Sequence, residues 1–305
     1  MSDLVQYYSK KIDLKEVVQT MKNLIYSMRP KQWIKNGFVF AGLIFSRSFT
    51  DLKAVVRVLC CFFIFSMISG ALYIINDIVD KKNDSVHPVK RNRPIASGRL
   101  NSTVALIFSI LISAVSLTCA FFISLKLFVI VLAYFILVIL YSMKYKNVII
   151  IDVIILSAGF VLRTVGGAVV LDVWISPWLI LCTTLLALFL ALNKRKSELQ
   201  TMSERAPEHR KILAEYSPEL INSMLSVITP TTVMCYCLYT FLAGKSGYMM
   251  LTIPFVLYGI FRYQYLASSG SMCGAPETAL YQDKPLFIDV VLWVIACIIV
   301  LALPY

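Results

Sequence analysis

Long, nearly charge-free apolar runs alternate along this chain with short segments that gather its charge; Leu52–Ile75, Val148–Val170 and Trp174–Leu192 are the clearest of them. A bilayer-spanning helix takes about 20 predominantly apolar residues, and a buried helix of a soluble domain rarely needs so many. Alternating ten-residue patterns of barrel strands are absent, and lipid leaves no backbone group unpaired, so the spans are expected to be helices. The pattern predicts an all-α integral membrane bundle of nine helices, near 36–50, 52–75, 103–123, 126–143, 148–170, 174–193, 221–243, 248–267 and 286–304. The first is short and begins as an interfacial segment carrying Trp33.

Composition agrees with that pattern. Of 305 residues, 59% are hydrophobic and 15% charged, where a soluble domain has roughly 45–50% and about 25%. Neither a repeat nor a low-complexity linker divides the chain, so a single membrane domain over 1–305 is expected. It has an interfacial segment over 1–35, a bundle over 36–304, and polar loops at 76–102 and 194–220. The start, with Lys10, Lys11, Lys15 and Lys22, shows no apolar stretch followed by a small-residue cleavage site, so no signal peptide is expected. Seven of the eight cysteines sit in apolar runs, without a CxxC pair or a Cys/His cluster, and read as small buried hydrophobes.

The net charge of +12 is unevenly distributed. One side collects seven Lys/Arg before the first span, six between Lys81 and Arg99, Lys144 and Lys146, six between Lys194 and Lys211, and Arg262 and Lys284. The other side holds Arg47, Lys53, Arg57, Lys126 and Lys245. The positive-inside rule then puts the N-terminus and the long loops in the cytoplasm, and nine spans put the C-terminus outside. Basic loops of this kind also hold anionic lipid headgroups. Because the charge lies in short loops between spans, nucleic acid is not an expected partner. A homo-oligomer is compatible with such a bundle.

What the basic excess leaves unexplained is an acidic cluster inside it, "NDIVDKKNDSVHPVKRNRP". If the second span continues through Asp84, then Asn76, Asp77, Asp80 and Asp84 share one face within an arc of roughly 100°. Carboxylates so placed repel one another, and a hard divalent cation relieves the conflict. Magnesium takes few protein oxygens and shares its remaining positions with water and substrate phosphate. A plainer alternative is a solvated helix end whose acids pair with Lys81, Lys82 or Arg91. Lys90, Arg91 and Arg93 follow directly, before Pro94 and Gly98 turn the chain back. Guanidinium and ammonium groups grip phosphate, so acids, cation, diphosphate and bases form one alternating stack.

Other polar residues sit near membrane depth. "MRPKQWIKNG" brings Arg29, Lys31, Gln32, Lys35 and Asn36 to the first span, as interfacial anchors or as substrate contacts. Tyr141, Lys146 and Asp152 surround the start of the fifth span, and Arg163 lies three turns deeper, where a charge needs a cavity or a partner. The sixth span ends in Asn193, Lys194, Arg195 and Glu198, a second charged helix end on the same side; a helix C-terminus also favours cations for structural reasons. Glu277, Asp283 and Lys284 precede the last span, as loop solvation or as part of a site. His87 and His209 lie in separate loops and make no metal pair.

The N-D-x-x-D-x-x-x-D motif followed by R-P-I-x-S-G resembles the UbiA superfamily of intramembrane prenyltransferases, over nearly the whole chain. The resemblance implies magnesium and diphosphate held by Asp77, Asp80 and Asp84 with Asn76 alongside. Most of that family carry a second aspartate-rich motif at the end of the sixth helix; this chain has Asn193-Lys194-Arg195-Lys196, with Glu198 as the sole acid. "RPKQWIKN", "NDIVDKKNDSVHPVKRNRPIASG", "ISPWLILCTTLLALFLALNKRKSEL" and "GAPETALYQDKPL" are similar to the branch that takes phosphoribosyl diphosphate as donor and a polyprenyl phosphate as acceptor. That likeness implies donor-phosphate contacts at Lys90, Arg91 and Arg93, with further ones at Lys35 and Lys146. Lys194 and Arg195 would then meet the extra 5-phosphate of such a donor.

The expected activity is a magnesium-dependent phosphoribosyl transfer at the cytoplasmic face of the cell membrane. The alternative is a prenyl transfer from a prenyl diphosphate to an aromatic or other acceptor, which predicts the missing second acidic motif. A transporter would instead place its ionisable residues at mid-depth between broken helices, and here only Arg163 is clearly deep.

Overall fold

The structure is a computed structural model that describes residues 14–202, 212, 215–242, 247–269 and 276–303. His209 and Cys273 lie outside these residues, as does the side chain of Glu277. Every regular element among the described residues is helical.

Helix α1 (Leu14–Ser27) leads into a 3-10 segment over Pro30–Val39 and the short α2 (Phe40–Phe45). The first long helix, α3 (Leu52–Val79), is capped by Asp51, whose carboxylate accepts from the Lys53 amide at 2.9 Å. α4 (Lys81–Val86) follows at once. The next four long helices are α5 (Ser102–Ile123), α6 (Leu125–Met143), α7 (Ile151–Val169) and α8 (Pro177–Met202). α9 (Pro218–Leu242), α10 (Ile253–Ser268), α11 (Pro276–Gln282) and α12 (Lys284–Ala302) complete the chain.

Seven of these, α3, α5 to α9 and α12, are long and apolar enough to cross a membrane. The other two expected spans are not single long helices. Residues 36–50 fall in the Pro30–Val39 segment, α2 and a 3-10 turn at Ser48–Thr50, while 248–267 divides between a Gly247–Thr252 3-10 segment and α10.

Two expected boundaries move. α8 does not stop at residue 193 but runs on to Met202, so the first part of the expected 194–220 loop is helix. Lysine, arginine, glutamate and glutamine are strong helix formers, and polarity ended the apolar run without ending the helix. The second span does not continue unbroken through Asp84. α3 stops at Val79, Asp80 adopts a non-helical backbone, and α4 restarts at Lys81.

α3 is the hub. In its most apolar stretch 61% is buried, against 22% in each of α5 and α6, which turn most of their surface outward. α5 presents Ala105, Ser109, Ser113, Ser116 and Ala120 as a buried small-residue face, which lets α3 approach closely. α2 and the Pro30–Val39 segment lie against α7 in the same way. A Cβ built on Gly167 would stand 1.9 Å from the Val39 carbonyl oxygen, and one on Gly42 2.8 Å from the Ala168 nitrogen. That contact brings Asn36 to α7 and sets the depth of the site.

Candidate active site

One end of the bundle gathers the acids of α3 and α4, the bases after them, and the charged ends of α6, α7 and α8. Asp77, on the last turn of α3, is 2% exposed and is reached by two arginines. Arg29 Nη2 and Arg93 Nη1 both donate to its Oδ1, the latter at 3.0 Å. Arg93 Nη1 also donates to Asp84 Oδ2 at 2.6 Å, so one guanidinium ties α3 to α4 across the break at Asp80. Arg29 holds a left-handed backbone (φ 52°), uncommon for a non-glycine residue, and its guanidinium lies 5.0 Å above the Tyr73 ring.

Asp80 has its own cation: Lys146, on a 3-10 turn after α6, donates to Oδ1, while Asn76 Nδ2 donates to Oδ2 at 3.2 Å. All three aspartates are therefore met by bases, each from a different segment. Lys90 joins the loop through its amide, which donates to His87 Nδ1. Arg91 stays exposed, and no ion pair joins its side chain to the acids. The sequence reading grouped Arg91 with Arg93, and it is Arg93 that enters the cluster. The single-face arc on one continuous helix is likewise replaced by the end of the long α3 and the short α4, linked through Arg93.

A second cluster joins α7 to α8. Asp152 is fully buried, accepting from Arg195 Nε and from Tyr216 Oη, both at 2.7 Å. Arg195 is also fully buried; it donates to Glu198 as well, and its Nη2 lies 3.4 Å from Tyr141 Oη. Lys194 faces Glu198 at 3.9 Å. Tyr216 further accepts from the Ile150 amide at 2.9 Å. That bond fixes Ile150 at φ 67°, a strained conformation for a β-branched residue, two residues before Asp152. Burial, then the hydrogen bond to Asp152, push the Tyr216 hydroxyl above its ordinary pKa. Arg195 is thus committed to two carboxylates, which leaves Lys194 as the more accessible of the two cations named from sequence.

Arg163 sits deeper, 5% exposed, in a shell of neutral groups. It donates to Asn36 Oδ1 (2.7 Å), the Gly159 carbonyl (2.8 Å) and Tyr134 Oη (2.7 Å). Its guanidinium carbon stands 4.6 Å over the Tyr134 ring. Asn36 in turn donates to Ser66 at 3.0 Å, and Tyr134 pairs with Ser69 at 3.1 Å. Lys35, next to Asn36, approaches Gln32 at 3.5 Å.

The sequence reading left Tyr134 and Tyr216 out of the candidate site, and it placed Arg29 at the first span, as an anchor or a substrate contact, without linking it to Asp77. What the sequence did not show for Arg29 was its partner, 48 residues away; the two tyrosines carried no signal, because their partners are 29 and 64 residues away.

Among the described residues, no three acidic, histidine or cysteine side chains converge as a metal cage. The donor set fits a shared ion better than an enclosed one. Hydrogen bonds reach Asp77 through Oδ1 and Asp84 through Oδ2, which leaves the second oxygen of each for a ligand. One or two carboxylates plus phosphate oxygens is a magnesium coordination pattern.

Residues 37–275 match the model of the UbiA prenyltransferase family. The chain belongs to the UbiA prenyltransferase family. It is thus a transferase, and its apolar helices are those of a membrane-embedded member of that family. Its relatives include the decaprenyl-phosphate phosphoribosyltransferase of Mycolicibacterium smegmatis, 30% identical over 90% of this chain and 91% of that protein. The protein of the same name from Corynebacterium glutamicum is 30% identical over 92% and 88%. Among solved structures, the UbiA homologue of Archaeoglobus fulgidus bound to GPP and Mg2+ superposes with a TM-score of 0.69 at 19% identity, covering 92% of this chain and all of that one. The same homologue bound to Cd2+ superposes at 0.67, with 19% identity and the same two coverages.

Proposed function

We propose that this protein transfers a 5-phosphoribosyl group from phosphoribosyl diphosphate to a polyprenyl phosphate, releasing diphosphate, at the cytoplasmic face of the cell membrane. The observation that carries the reading is the basic end of α8, where Lys194 and Arg195 stand in the place at which the family resemblance implies a second acidic motif. A prenyl diphosphate has one charged end; phosphoribosyl diphosphate carries a second phosphate and needs a further cation. The curated relatives that span about nine-tenths of the chain carry phosphoribosyltransferase names, which supports the same choice.

In this reading the open oxygens of Asp77 and Asp84 would hold a magnesium ion, with Asp80 and Asn76 beside them. When bound, magnesium supplies charge neutralisation for the leaving diphosphate. Arg93, Arg29 and Lys146 neutralise the acids and would turn to phosphate oxygens when the donor binds. Lys90 and Lys35 add cations at its rim, and Lys194 takes the 5-phosphate. Tyr141 and the Asp152–Arg195–Glu198 pairs hold α6, α7 and α8 in register beneath it. Arg163 and its neutral shell form a positively charged floor toward the lipid side.

The ribose C1–O bond breaks with its electron pair leaving on diphosphate. An oxygen of the lipid phosphate forms the new bond to C1 from the opposite face. That oxygen is already anionic, so no general base is required. Positioning and charge neutralisation carry the rate.

The test is to give purified protein, with magnesium and polyprenyl phosphate, labelled phosphoribosyl diphosphate. Label should move to the lipid. Failure of that transfer, alongside efficient transfer from a prenyl diphosphate to a small acceptor, would instead establish the prenyl-transfer reading.

A further inference from the structure

Asp289 takes no part in the site described above. It lies on α12 facing α10, is 8% exposed, and no hydrogen bond or ion pair among the described residues reaches its carboxylate. The packing makes room for it: a Cβ on Gly259 of α10 would stand 2.9 Å from Asp289 Oδ2. The cation one turn away is already used, since Arg262 grips Asp283 through two hydrogen bonds of 3.1 and 2.7 Å. A carboxylate left alone in a membrane helix is costly and calls for a partner.

Asp289 opens into a cavity of about 480 Å³ between α10 and α12. Phe255 and Tyr258 line it from α10, Ile288 and Leu292 from α12. Tyr258, Ile288 and Leu292 are 46%, 54% and 45% exposed, so the cavity opens sideways onto the bundle surface, where lipid lies. Asp289 stands five residues into α12, about 7.5 Å along its axis, near the end of the helix that begins at Lys284 and faces Arg262. Carboxylate and aromatic faces together select a cation, and the apolar walls select a hydrocarbon chain.

We propose that this groove binds the ammonium headgroup of a membrane lipid, with the ammonium on Asp289 and beside the Tyr258 ring and the lipid's chain along Ile288 and Leu292. The site is separate from the phosphate site, so its occupancy does not depend on which donor the enzyme uses.

The experiment is native mass spectrometry of the full chain released from nanodiscs that contain equal amounts of phosphatidylethanolamine, phosphatidylcholine and phosphatidylglycerol. The wild type should retain phosphatidylethanolamine over phosphatidylglycerol by about tenfold, the scale of a charge-assisted hydrogen bond. D289N and G259A should lose that preference, and Y258L should weaken it. Both D289N and G259A are small changes, and the wild-type preference itself tests the proposal should either variant fail to fold. Equal retention of the three lipids by the wild type, an undiminished preference in D289N, or a second copy of the chain that dissociates in D289N would each overturn it.

Discussion

Asp77 shows at the scale of one residue why a basic cluster surrounds an acidic motif. Its carboxylate is buried, and two guanidinium groups share one of its oxygens, so the charge is compensated without filling the coordination of the other. Arg29 and Arg93 keep 22% and 24% side-chain exposure, so removing Asp77 strands no fully buried cation. Asp77→Ala is therefore expected to insert and fold normally while turnover drops by about 100-fold or more, the scale of losing a preorganised electrostatic contact. Monodispersity of the purified variant beside its rate of label transfer would check both halves. Near-normal turnover would remove Asp77 from the site. Arg195 is the contrasting residue. Read from sequence it was a phosphate cation; in the fold its side chain is enclosed by Asp152 and Glu198 and serves to lock α7 to α8. Sequence distance hid this, because Asp152 and Arg195 lie 43 residues apart.

The helices were legible wherever hydrophobicity alone decides them. Six of the seven long spans, α3 to Ile75 and α5, α6, α7, α9 and α12, follow their apolar runs to within a few residues. What the runs did not show was the break at Asp80 or the polar extension of α8, since both occur where charged side chains take over and packing chooses the backbone. The α2–α7 contact was equally silent, because a glycine in an apolar run carries no mark of what approaches it. That contact yields a sharp expectation. Gly167→Val drives a side chain into the Val39 backbone, where no rotamer helps, and overpacking of this kind costs typically about 1–3 kcal/mol, occasionally more. Thermal unfolding in detergent should show a clear loss for Gly167→Val and little change for Gly37→Ala, whose Cβ meets open space. A second element-scale link is the Arg262–Asp283 clamp between α10 and the cap of α12. The Arg262 hydrogen bonds, then the Leu286 amide, hold the Asp283 carboxyl below its usual range. A folded pKa below the unfolded value of about 3.9 means that the clamp stabilises fully above that pH and fades as pH falls through the folded value. Asp283→Asn should accordingly lower the unfolding temperature at pH 7, and the gap to wild type should narrow as pH falls below about 3.9. A gap that persists at low pH would show that the effect is not electrostatic.

At the scale of the whole molecule, the asymmetry of charge and the position of the site are one fact. Asp77, Asp84, Arg93, Lys146, Asp152 and Arg195 all collect at the end where α3 stops, α7 starts and α12 begins. The opposite end holds a sparse set, with Lys126 and Asp172 paired at 2.6 Å and both exposed. A donor that is a water-soluble polyanion must reach the site from water, and an acceptor that is a lipid must reach it from the side. On the proposed reading a site at the rim of the bundle would serve both, and the positive-inside rule predicts the cytoplasm for its base-rich end. If the two broken elements, Pro30–Phe45 and Gly247–Ser268, cross the membrane with the seven long helices, the chain ends on the far side. Alkaline phosphatase fused after Tyr305 should then be active in intact bacterial cells, and a fluorescent protein that matures only in the cytoplasm should stay dark at the same position. The same pair of fusions placed after Asn92 should give the reverse. A dark phosphatase at Tyr305 with a correct result at Asn92 would mean that Gly247–Ser268, the broken element between those two positions, re-enters instead of crossing, and would leave the proposed site on the same side.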